Sequence, residues 1–99
     1  STAWLPAHVP RGTCGAEATS RLAAAVAARP DDARALAALG ACERELRSPA
    51  ATARFRAAAA LLPSAWDLWY ALGVSLKDDH RFEEATSSLQ LALQLSPTS

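Results

Sequence analysis

One spacing constrains this chain more than any other feature. Gly40 and Gly73 lie 33 residues apart, and the residues around them agree in register: Leu36 matches Trp69 and Leu39 matches Leu72. After a one-residue gap in the intervening turn, Ala51 matches Ala85, Phe55 matches Leu89, Ala58 matches Ala92 and Pro63 matches Pro97. Ala18, Leu22, Ala25 and Pro30 repeat the second half of this pattern once more. A period of this size means a supersecondary unit that cannot bury its apolar face alone, so successive units must stack. Gly40 and Gly73 carry no side chain and let a partner helix approach closely, with Ala18, Ala51 and Ala85 doing the same from the opposite side.

The units are helical. Alanine makes up about a quarter of the 99 residues, while the β-branched residues are few and isoleucine is absent; that composition favours helix over strand. Prolines and caps divide the chain into five segments. The first covers 15–29, with Thr13 as its N-cap and Ala18, Leu22, Ala25 and Val26 on one stripe. Asp31 and Asp32 open the second, which runs to about Arg47. Ser48-Pro49 starts the third, over 49–62. Ser64, followed three residues later by Asp67, reads as a capping box for the fourth, which ends near Asp78-Asp79-His80. The fifth covers 82–95 before Pro97. Links this short make neighbouring helices antiparallel. Residues 1–14 stand apart: Pro6 and Pro10 exclude a helix, while Trp4, Leu5 and Val9 favour an arm lying across the first helix over a loose tail. The aromatic residues of the last unit lead us to expect most of the stability there.

The stretch 66–99 resembles the tetratricopeptide repeat family. Its pattern W-x2-L-G-x2-Y, A-x3-F, P is met by Trp69, Leu72, Gly73, Leu76, Ala85, Leu89 and Pro97, with Leu76 in place of tyrosine and Leu89 in place of phenylalanine. The run DDHRFEEA is similar to the family's turn, with His80 where glycine is common. In 33–65, Leu36 replaces tryptophan, Glu43 replaces tyrosine and the turn is a residue shorter; in 15–32 only the second helix exists. The resemblance implies an all-α, short right-handed solenoid of two and a half repeats spanning 15–99. It also implies a concave groove for a peptide or helix of a partner protein, lined by Arg34, Ala37, Ala41 and Arg44 from one repeat and Asp67, Tyr70, Val74 and Lys77 from the next. Arginine and tyrosine suit such a surface. The asparagine-and-lysine clamp with which some members hold a C-terminal carboxylate is missing, since Ala37, Ala41, Tyr70 and Val74 occupy its places.

Catalytic chemistry finds little to work with. Cys14, beside Gly15 at a helix start, could have a lowered thiol pKa, which would suit a redox accessory role. Cys42 reads either as a small core residue or as the partner of Cys14 in a disulfide. With the first helix continued, the two would be roughly 9 Å apart along its axis, at 1.5 Å per residue, so a bridge requires the Gly12–Gly15 segment to fold back. His8, His80 and the cysteines show no metal-ligand spacing, and neither a nucleophile triad nor a phosphate loop can be assembled. We therefore expect no cofactor, no metal and no enzyme.

Ten basic and ten acidic side chains cancel, which disfavours nucleic-acid binding, and no apolar run approaches a membrane span. The cancellation is uneven: residues 1–62 carry eight basic against five acidic side chains, net +3, and residues 63–99 two against five, net −3. With Leu91, Leu93 and Leu95 on more than one side of the last helix, this polarity supports an alternative, a scaffold that self-associates through that helix or stacks within a longer array. The N-terminus lacks signal-peptide features. The residues fit a soluble protein of cytoplasm or periplasm, and a disulfide would select the oxidising compartment.

Overall fold

A computed structural model describes residues 14–97. The proposed arm, apart from Cys14, and the Thr13 cap lie outside these described residues. Within them the fold is all-α: α1 is Ala16–Ala28, α2 Ala33–Glu45, α3 Ala51–Leu61, α4 Trp66–Asp78 and α5 Phe82–Leu95. Each helix packs on its neighbour in the chain, and the short links make neighbours antiparallel. Glu43 late in α2 accordingly meets Arg54 early in α3, and Thr52 early in α3 meets Ser75 late in α4.

The core is a continuous seam of small and medium side chains from α2 to α5. Leu36, Ala37 and Ala41 meet Ala51, Phe55, Ala58 and Ala59, and these meet Leu68, Ala71, Leu72, Leu76 and Ala85. The largest fully buried side chains are Phe55, Leu39, Leu68, Leu72 and Leu76. Leucines therefore carry the last repeat's core. Its aromatics sit at the edge: Tyr70 and Phe82 are exposed, and Trp69 is half-buried, its indole N–H donating to the Pro63 carbonyl at 2.9 Å. Three of the five largest fully buried side chains, Leu68, Leu72 and Leu76, lie in this last repeat.

Gly40 and Gly73 occupy equivalent seats. A methyl group built on Gly40 would lie 3.2 Å from the Phe55 ring, and one on Gly73 would lie 2.6 Å from Leu89 Cγ. Phe55 and Leu89 are the residues that the repeat alignment pairs, so close backbone approach is imposed at the same point twice. The turns repeat as well. Arg47 and His80, 33 residues apart, both adopt left-handed backbone, with φ of 60° and 62°. Each closes its helix in the same way: Ser48 N–H reaches the Glu43 carbonyl and Arg81 N–H the Leu76 carbonyl, with Arg47 and His80 bonding to Arg44 and Lys77.

Several boundaries differ from expectation. Asp32 caps α2, accepting from Ala35 N–H at 3.1 Å. α3 begins at Ala51 instead of 49, although Ser48 Oγ still accepts from Ala50 N–H ahead of it. The capping box is absent: Ala65 is the N-cap of α4, no side chain caps it, and the Asp67 carboxylate turns to Arg34 instead. α1 buries none of its own residues; Ala18, Leu22 and Val26 are half-buried and Ala25 is exposed. Among the described residues, α1 packs chiefly on α2.

Candidate functional site

The groove implied by the resemblance requires α2 and α4 side by side, and two ion pairs fix them so. Arg34 donates to both Asp67 carboxylate oxygens, at 2.5 and 3.5 Å, near the helix starts. Arg44 Nε donates to Asp78 at 2.5 Å near their ends. Pairs at both ends, with sequence separations of 33 and 34, make the two helices parallel and nearly in register. On the other side of the stack, Arg56 of α3 reaches Glu84 of α5 at 3.5 Å. The unequal charge of the two halves thus has a local use: arginines of one repeat meet carboxylates of the next.

This arrangement divides the eight expected groove residues. Ala37, Ala41 and Asp67 are buried and cannot line an accessible surface. The alanines belong to the seam that lets α4 lie close, and Asp67 is held beneath Arg34. Arg34 and Arg44 remain partly exposed, but their guanidinium groups are engaged between repeats. Tyr70, 42% exposed, half-buried Val74 and exposed Lys77 follow one another at i, i+4 and i+7 on one face of α4. The accessible strip is therefore Tyr70–Val74–Lys77, flanked by the two arginines. At the α1–α2 turn, an open cleft of about 480 Å³ lies among Arg29, Asp31, Asp32, Ala33, Arg34, Leu61 and Leu62.

Two polar clusters stiffen the scaffold beneath. Arg54 clamps the buried Glu43 carboxylate through two bonds, at 3.1 and 3.2 Å. Thr52 Oγ1 donates to Asp79 at 2.6 Å and so accepts from Ser75 Oγ, also at 2.6 Å, because a hydroxyl has one proton to give. Glu43 stands where the repeat pattern has tyrosine, and its burial follows from the arginine one turn into the next helix. Sequence reading missed both clusters and the cross-repeat pairs. The signal for the pairs was present, as opposite charges one repeat period apart.

Cys14 and Cys42 form a disulfide, with Cα atoms 5.1 Å apart. Gly15 has extended backbone and ends α1, so the chain turns back and closes the gap that a continued helix would leave. The bond corrects two expectations: Cys42 is not a free core thiol, and Cys14 is not an available thiolate. His80 lies in the α4–α5 turn, its ring edge-on to Phe82 with centroids 5.6 Å apart, and His8 lies outside the described residues. No helix among the described residues is long and apolar enough to cross a membrane. Compared with known proteins, the chain matches no protein-family model and no curated sequence.

Proposed function

We propose that the chain is a helical-repeat module of the tetratricopeptide kind that binds a peptide or helix of a partner protein along the α2–α4 face, without catalysis. Tyr70 carries the reading. It is a large amphipathic side chain standing exposed in the middle of a face whose two ends are fastened by ion pairs. A rigid aromatic beside Val74 and Lys77, with two arginines at the rim, suits an extended or helical segment bearing apolar and acidic residues. The matching seats of Gly40 and Gly73, and the matching turns at Arg47 and His80, support the repeat reading itself. The Cys14–Cys42 bond supports an oxidising compartment, the periplasm of the two that the residues fit.

The test uses Tyr70→Ala combined with Lys77→Ala. Arg34→Ala is a poor probe, because it strips the buried Asp67 carboxylate of its partner. Displayed peptides selected on the intact chain are expected to lose binding to the double variant, while far-ultraviolet circular dichroism stays unchanged. Peptides that bind the variant equally well would place the site elsewhere.

A further inference from the structure

α1 is held to the fold unlike the other helices. It buries none of its own residues, and of its half-buried Ala18, Leu22 and Val26 only Val26 packs against the core cluster. Among the described residues no ion pair or side-chain hydrogen bond joins α1 to another helix: Arg21 reaches Glu17 at 2.9 Å, and Thr19 donates to the Gly15 carbonyl at the same distance. Its firm attachments are at its ends. The 29–32 turn leads into α2, and the Cys14–Cys42 bond fastens its start to that helix.

The repeat register shows what this bond replaces. Ser75 stands 33 residues after Cys42 and joins α4 to α3 through the Thr52 hydroxyl, with Leu68, Ala71 and Leu72 buried in the core cluster beside it. In α2 those three places are held by Ala35, Ala38 and Leu39. The two alanines are only half-buried, while Leu39 and Cys42, 1% and 4% exposed, stand outside the cluster that runs from α2 to α5. Leu39 lies one turn before Cys42, on the side of α2 turned to α1. A covalent bond thus takes the place that hydroxyls and buried leucines fill one repeat later. The rest of the stack does not depend on it, because Arg34–Asp67, Arg44–Asp78 and Arg54–Glu43 tie α2 to α4 and α3.

We propose that Cys14–Cys42 is a redox latch on α1. A dithiol reductant opens it by exchange: one thiolate of the reductant attacks a cysteine sulfur, the S–S bond breaks and the other cysteine leaves as a thiolate. The reductant's second thiolate then attacks the mixed disulfide and frees the first cysteine. Two electrons and two protons pass to Cys14 and Cys42, and the reductant ends as a disulfide. Both cysteines are buried, so exchange proceeds through fluctuations that lift the start of α1. Once parted, α1 is a 13-residue helix fixed only at the 29–32 turn, a length that is marginal in water by itself. It swings away and melts, uncovering Leu39, while α2–α5 keep their packing. A disulfide oxidant reverses the step. The latch does not rest on the Tyr70 strip.

Hydrogen exchange read by mass spectrometry tests it on the full chain, oxidised, reduced with dithiothreitol, and as the Cys14→Ser, Cys42→Ser double variant. Reduction is expected to speed exchange of the α1 amides about a hundredfold or more, to leave those of α3, α4 and α5 unchanged, and to be undone by re-oxidation. The double variant should match the reduced chain and ignore dithiothreitol. Far-ultraviolet circular dichroism should lose about a fifth of the helical signal on reduction, the share that α1 holds among the five helices. Amides of α1 that stay protected in the reduced chain or in the double variant would overturn the latch. Loss of protection in α3–α5 together with α1 would overturn it too, by making the bond a staple of the whole fold.

Discussion

A methyl group added at Gly73 sets two opposing effects against each other, and the repeat packing decides between them. In an uncrowded helix interior, glycine to alanine contributes roughly 1 kcal/mol to stability. At Gly73 the new carbon would lie 2.6 Å from Leu89 Cγ, 2.7 Å from Leu89 Cδ2 and 3.3 Å from the Ala85 carbonyl oxygen. Comfortable carbon–carbon contact begins near 3.5 Å, so Leu89 has to shift by about 1 Å or α5 has to lift away. The backbone oxygen restricts the second escape. Overpacking of this kind costs about 1–3 kcal/mol, giving a net loss of about 1 kcal/mol for Gly73→Ala. At Gly40 the new carbon would lie 3.2 Å from Arg54 Cβ and the Phe55 ring. There the two effects are expected to cancel to within about 0.5 kcal/mol. The decisive comparison is Gly73→Ala made in a Leu89→Ala background. With the obstructing side chain gone, the same methyl is expected to stabilise by about 1 kcal/mol, reversing its sign. Urea unfolding of the four proteins, followed by circular dichroism, measures the cycle. A Gly73→Ala that stabilises both backgrounds equally would refute the close approach of α5 to Gly73.

Arg47→Gly is expected to raise the urea midpoint, by about 0.5–1 kcal/mol of stability, because glycine adopts the left-handed turn without strain; His80→Gly should gain less, since it gives up the Phe82 ring contact. Reduction of Cys14–Cys42, which closes a sequence separation of 28, is expected to cost about 3.5 kcal/mol on the chain-entropy account. Because α1 buries none of its own residues, hydrogen exchange should show its amides losing protection first, with α4 and α5 still protected. Arg54→Ala strands the buried Glu43 carboxylate and should cost about 2 kcal/mol in a urea titration; replacing Glu43 and Arg54 together by leucine should recover most of that loss. Exchanging the charges, Arg34→Asp with Asp67→Arg, should be less destabilising than either single change, as a double-mutant cycle in thermal melts would read.

What the chain disclosed in advance was whatever local sterics dictate. Prolines bracket the helices, Asp32 caps α2, and glycine is needed wherever two backbones approach, so Gly40 and Gly73 could be paired without knowing any contact. The turn at His80 was readable because the residue stands where glycine is common in the family that 66–99 resembles; Arg47 gave no comparable hint, its side chain suiting an ordinary helix end. The proposed binding face was legible only in part. Whether Ala37 and Ala41 line a groove or floor a core depends on how far apart two parallel helices settle, which no periodicity encodes. Asp67 read as a cap because Ser64 lies three residues before it, whereas a guanidinium one repeat away competes better for a carboxylate than a backbone amide does. The bridge between Cys14 and Cys42 stayed open between two readings in the sequence, because it turns on where α1 begins: with Gly15 extended ahead of Ala16, the gap that a continued helix would leave is closed.

The ion pairs between repeats also give the stack a grammar. Arg34 and Asp67 fill the same slot in consecutive units, so each unit is the counterpart of its neighbour and not its copy. Duplicating 33–65 in tandem would set arginine against arginine in that slot, and duplicating 66–99 would set aspartate against aspartate. Similar as the two units are in backbone, they cannot be shuffled: their order is written in the sign of the charge each presents to the next.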